Sequence, residues 1–267
     1  MRIIISPAKK MNVHDDWSGE WELPIYVEQA ECLQQYIRSL SREEAAKMWQ
    51  CNEKLTELNY QRFQNMELRS CLTPALLAYE GIQYQYMAPF VFERDQWEYV
   101  SRHLRILSGF YGILRPADGV VPYRLEMQAK GHFPMTSSNV NGTAEVKTAD
   151  TLYSFWKDTL YQALTEPERT EILNLASKEY SKAIEPYLKS EDRYLTCVFG
   201  MLEKDQKGKF KVKVKATEAK MARGEMVRFM AENQIENLED IKAFNRLGYV
   251  YQQELSDEKQ YVFCKNS

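Results

Sequence analysis

The chain has 267 residues, 44% of them hydrophobic, and its 35 basic and 38 acidic side chains leave a net charge of −3. A chain of this size buries roughly 75% of its unfolded surface, so disorder throughout is excluded, and the charge balance argues against a surface coated for gripping nucleic acid everywhere. Apolar runs such as IIIS at residues 3–6 fall far short of the roughly 20 residues that span a bilayer, so no transmembrane helix and no membrane partner are expected.

The opening MRIIISPAKK has no apolar core and cleavage site of a signal peptide, which points to the cytoplasm. Residues 23–40 repeat apolar side chains at Val27, Ala30, Leu33, Ile37 and Leu40, the period of a helix, with Pro24 suited to its first turn. Ser41 and Glu44 then form the pattern of a capping box that opens a second helix. Further helices are expected over residues 54–69, 73–79, 93–103 and 152–164.

Residues 130–150 are rich in Ser, Thr, Asn and Gly and read as a long mobile loop. Strands over residues 194–202 and 209–216 flank a turn containing Gly208, and strands over 249–254 and 260–264 flank Ser256 and Asp257. Both pairs read as antiparallel hairpins. On the second of these strands Lys209, Lys211, Lys213 and Lys215 alternate with apolar residues and share one face, which a solvated sheet face explains. The expected class is α/β, in its mixed α+β form: one domain over residues 1–267, with a central mixed sheet, flanking helices and hairpins in the C-terminal half.

Three short apolar runs end in a serine, at Ser6, Ser108 and Ser177, and a fourth ends at Thr217 ahead of a helix over residues 218–233. Such runs between helices are what buried parallel strands look like, and ligands of open α/β sheets sit outside the carboxyl ends of the strands. If the strands are neighbours, the four hydroxyls line one edge. Lys9, Arg115, Lys178, Lys220 and Arg223 follow closely, so that edge suits phosphate, although each serine read alone is an ordinary helix cap and each cation a solvated one.

Other chemistry is weakly signalled. Ser6 and Lys9 fit S-x-x-K, without the companion motifs of a serine nucleophile. Cys51 near Lys54 offers a peroxide-reactive thiol, but a lone helix-flanking cysteine is more often packing. Five cysteines without a C-x-x-C pair and three histidines without ligand spacing predict neither disulfides, nor a metal, nor any other cofactor.

Taken together, ISPAKKM at residues 5–11, HLRILSGFYGILRPADGVVPYRLEM from His103, LYSFW from Leu152, LNLASKEY from Leu173, AKMARGEMVRF from Ala219 and FNRLGYVY from Phe244 resemble the YaaA peroxide-stress family of bacterial cytoplasmic proteins. The motifs run in the same order nearly end to end. The resemblance implies protection under hydrogen peroxide through lowered free iron. It also implies a positively charged cleft and a helix-hairpin-helix-like element that binds duplex DNA largely without reading sequence. Carried onto this chain, the hairpin is LSGFYG at residues 107–112, with Gly109 and Gly112 offering backbone amides to phosphate. Ser6, Lys9, Lys54, Arg105, Arg115, Arg124, Ser177, Lys220 and Arg223 complete the expected DNA or phosphate surface. The alternative is an enzyme acting on a small phosphorylated or nucleotide-like ligand in the same cleft. Tyr123, Asn174 and Tyr180 would then line its pocket, with Glu126 as candidate general base.

Overall fold

A computed structural model describes residues 1–14, 22–135, 147–166, 171–204 and 210–265. At its centre is an eight-stranded mixed sheet. The strands are β1 (Arg2–Ile5), β2 (Leu104–Ser108), β3 (Gly112–Leu114), β4 (Ile172–Asn174), β5 (Tyr194–Lys204), β6 (Phe210–Lys213), β7 (Tyr249–Tyr251) and β8 (Gln260–Lys265). They lie in the order β7-β8-β5-β4-β1-β2-β3, with β6 paired to the end of β5. Strand β1 runs parallel to β4 and β2, and β5 runs parallel to β4 and β8. The pairs β2/β3, β5/β6 and β7/β8 are antiparallel hairpins. Ile3, Ile4 and Ile5 are all fully buried, as an unbroken apolar run flanked by parallel neighbours requires. Burying each contributes roughly 1.5–3 kcal/mol.

Helices cover the sheet: α1 (Val27–Ser39), α2 (Arg42–Trp49), α3 (Glu53–Asn65), α4 (Ile82–Met87), α5 (Arg94–His103) and α6 (Ala216–Glu232). The expected capping box opens α2, because the Glu44 amide donates to Ser41 Oγ (3.2 Å) and the Ser41 amide to Glu44 Oε2 (2.8 Å). Helix α1 starts later than its apolar period suggested. Pro24 lies ahead of it, with its carbonyl accepting the Val27 amide.

Several expectations are corrected by tertiary pairing. Residues 73–79 hold a single helical turn, Ala75–Ala78, since Thr73 and Pro74 pair with Val120 and Gly119 as a short antiparallel bridge. The helix expected over 152–164 is two, Leu152–Trp156 and Thr159–Thr165, broken where Lys157 takes a positive φ of 46°. The polar segment 130–150 is not simply a loop. Lys130–Met135 and Lys147–Thr151 form an antiparallel hairpin, and residues 136–146 lie outside the described residues. Strand β6 ends at Lys213, so of the four alternating lysines only Lys211 and Lys213 sit on it. Lys209 lies outside the described residues.

The helix-hairpin-helix-like element is also corrected. Helix α5 is followed by strand β2, a tight turn and strand β3, so LSGFYG is the corner of a β-hairpin in which Ser108 pairs with Gly112. Gly112 turns the corner at φ +75°. Both glycines are buried: a Cβ on Gly109 would lie 2.5 Å from the Leu125 carbonyl oxygen, and one on Gly112 would meet Trp156 and Leu160 at 2.9 Å. Packing by itself requires glycine at both positions.

Candidate functional site

The parallel strands β1 and β4 end side by side, which brings Ser6 to Ser177. Ser6 Oγ accepts the Ser177 amide (2.8 Å) and lies 3.1 Å from Ser177 Oγ. Beyond them opens a cleft of about 390 Å³. Ser6 to Lys10 form one wall, Tyr123 to Glu126 a second, Ser177 with Glu179 and Tyr180 a third, and Glu80 to Tyr84 with Lys220 and Arg223 the fourth. It sits at the carboxyl ends of the parallel strands, where ligands of such sheets bind.

Nine of the anticipated residues meet here: Ser6, Lys9, Tyr123, Arg124, Glu126, Ser177, Tyr180, Lys220 and Arg223. Glu126 is a hub, taking Lys9 Nζ at 3.1 Å and Arg124 Nη2 at 2.8 Å on the same carboxylate oxygen. Lys10 is paired with Glu80 at 2.6 Å. Among the described residues Lys220 and Arg223 have no carboxylate partner, and Arg223 Nε is buried without a hydrogen bond. Burial pulls the Arg223 guanidinium below its ordinary range. Arg124 Nε and Gln83 Nε2 are likewise buried and unpartnered.

Under the second wall lies a hydroxyl relay. Ser108 Oγ accepts the amides of Phe110 (3.2 Å) and Tyr111 (2.9 Å), which directs its own proton to the Tyr123 hydroxyl at 2.6 Å. The Tyr79 hydroxyl, 2.7 Å from that of Tyr123, is buried and finds its partner there. Tyr79, Tyr123 and Ser108 thus form a continuous chain of three buried hydroxyls beneath the cleft. Burial pushes the Tyr123 phenol up to about 12, while the contacts from Ser108 and Tyr79 pull it down.

The other anticipated residues are engaged elsewhere. Lys54 is exposed on α3. Arg105 donates to the carbonyls of Ser101 (3.1 Å) and Leu104 (2.7 Å), and burial draws its guanidinium down to about 10. Arg115 pairs with Glu22 (2.7 Å) and the fully buried Asp118 (2.9 Å), fixing the turn after β3. Asn174 is 3% exposed, donating to Thr196 Oγ1 and accepting the Ala176 amide. Gly109 and Gly112 lie in the buried hairpin corner, and Ser108 below the wall. Thr217 sits inside the first turn of α6, whose cap position is Lys215. The serine-cap pattern therefore holds by position at Ser177 alone, and there the side chain makes no capping bond. Gln83, Tyr84 and Glu179 were missed. The Tyr84 hydroxyl donates to the Ser6 carbonyl at 2.9 Å, and burial raises the Glu179 carboxyl.

Fold and site define a mixed α/β protein with a crevice of cations and hydroxyls at the carboxyl edge of its sheet. The chain belongs to the peroxide stress protein YaaA family, whose model matches residues 1–255. A UPF0246 protein of Agathobacter rectalis is 52% identical over 263 residues, covering 98% of each chain. A UPF0246 protein of Desulfitobacterium hafniense is 52% identical over 265 residues, covering 99% of this chain and 98% of that one. A UPF0246 protein of Ligilactobacillus salivarius is 45% identical over 266 residues, covering all of both. Among the described residues no helix is long and apolar enough to cross a membrane.

Proposed function

We propose that this peroxide-stress family member works by holding a small phosphorylated, nucleotide-like ligand in the cleft between α4, α6 and the ends of β1 and β4. The observation that carries this reading is the pairing of size with charge. A cleft of about 390 Å³ has the volume of a small-molecule site, and five basic side chains face three acidic ones around it. Tyr84, Tyr123 and Tyr180 add aromatic surface to which a planar or sugar moiety can pack. Calorimetry with nucleoside 5′-monophosphates should give dissociation constants in roughly the micromolar range. Absence of binding by every such compound, in protein with a normal melting transition, sinks the reading.

A second reading, duplex DNA lying across the mouth, rests on the exposed Lys9, Lys10 and Lys178 beside the opening. Contacts of that kind hold backbone phosphates without reading bases and weaken steeply with salt. A mobility shift unaffected by replacing all three lysines with alanine removes this reading. In either case the protein acts in the cytoplasm and lowers free iron indirectly. Cells lacking it should then show more chelatable iron under peroxide, restored by the intact chain.

A further inference from the structure

Within the cleft the positive charge is unevenly spent. Lys9 and Arg124 share the Glu126 carboxylate, and Lys10 has Glu80, so each of these three cations has a carboxylate partner. The wall made by α4 and α6 differs. Lys220 and Arg223, three residues apart on α6, share a helix face and have no anionic partner among the described residues. Gln83 of α4 lines the same cleft; it is 6% exposed, and its amide nitrogen is buried without a partner. The two helices cross in backbone contact at Gly224, next to Arg223, which sets the Gln83 backbone against this turn of α6. A buried amide without a partner costs about 1–3 kcal/mol, and two unpaired cations on one face repel each other. A ligand group that answers all three must be an acceptor with two negative charges.

Resting on the cleft reading above, we propose that Gln83, Lys220 and Arg223 form the subsite for a terminal phosphate monoester. The dianion cancels the two free charges and accepts from the amide. A phosphodiester or a carboxylate, with one negative charge, leaves one cation unanswered. The other walls, with the Ser6 and Ser177 hydroxyls and the Tyr123 ring, then receive the uncharged end of the same molecule. This selects free nucleotides and sugar phosphates over the backbone of a nucleic acid.

The test is calorimetric titration of the full chain at pH 7.5 with adenosine 5′-monophosphate, the cyclic 3′,5′-diester and adenosine. The monoester is expected to bind at least roughly tenfold more tightly than the other two, the factor that about 1.4 kcal/mol supplies. Lys220→Met, Arg223→Met and Gln83→Met should each weaken the monoester by about tenfold, as loss of a charged hydrogen bond does, with Lys9→Met changing it much less. Lys220 is exposed, so its variant folds even if the buried ones do not. Equal affinity for monoester and diester, or loss of binding in Lys9→Met with Lys220→Met unchanged, overturns the subsite while leaving the cleft reading standing. No binding by any of the three compounds overturns the cleft reading itself.

Discussion

A Cβ on Gly224 would lie 2.1 Å from the carbonyl oxygen of Gln83, so α6 and α4 touch there backbone to backbone. No side chain fits between them. Gly224→Ala must push α4 away or bend α6, and overpacking of this kind costs about 1–3 kcal/mol. Urea denaturation should show that loss. Because Gln83 and Arg223 flank the contact, the variant's affinity for adenosine 5′-monophosphate should fall as well, whereas a purely distant packing defect would lower stability alone.

Ser108→Ala removes one oxygen that serves three groups. In this fully buried place the amides of Phe110 and Tyr111 lose this partner, and the Tyr123 hydroxyl keeps only that of Tyr79. The expected destabilisation is about 1–3 kcal/mol for the groups left unsatisfied, measured by denaturant titration. A cost below about 0.5 kcal/mol would show that the relay does not hold the hairpin corner.

Gly109→Ala should be harmful through stability. Its new methyl would meet the Leu125 carbonyl oxygen and the backbone of Glu126 and Met127, forcing the second wall of the cleft outward. Overpacking again predicts a loss of about 1–3 kcal/mol, read by thermal or urea unfolding. A variant of normal stability that lost DNA binding would instead restore Gly109 as a phosphate contact.

Glu179 gives a pH signature. Burial raises its carboxyl above the ordinary range, and the nearby Glu126 carboxylate raises it further, against hydrogen bonds from the Gln128 and Met127 amides. A carboxyl raised in the folded state binds its proton more tightly there than in the unfolded chain. Its contribution to stability is therefore complete below the unfolded value of about 4.3 and is lost as pH rises through the folded one. Glu179→Gln cannot ionise, so its stability relative to the parent should improve from pH 4 to pH 7. Removing the negative charge should also tighten adenosine 5′-monophosphate by roughly threefold at neutral pH, within the range of a partly exposed charge interaction. A pH-independent stability difference counts against the raised carboxyl.

Local signals were readable where the physics is local. The IIIS run announced β1 because a strand with parallel neighbours on both sides is apolar at every position. The Ser41 to Glu44 capping box closes within one turn, and the pairings of β5 with β6 and of β7 with β8 follow the expected pattern, although β7 ends at Tyr251 and a 3-10 turn over Gln253–Leu255 takes the rest of its expected span. The ends of elements were less readable. Pairing of Thr73 with Val120 shortened one helix, and the positive φ at Lys157 divided another, each through contacts or geometry that composition does not encode.

By itself the sequence determined the mixed α/β class, the family, and most of the cations and hydroxyls that gather in the cleft, whereas the adjacency of β1 and β4 came from their pairing in the sheet. Tertiary structure decided which cations are free. Arg105, Arg115 and Arg223 are the same residue type, yet Arg105 is satisfied by carbonyls and Arg115 by carboxylates, while Arg223 faces the cleft unpaired. It also supplied Gln83, which lies 140 positions before Arg223 and gains its place from the helix crossing at Gly224. A side chain's availability for a ligand depends on what else can reach it, and that is settled by the packing of distant segments.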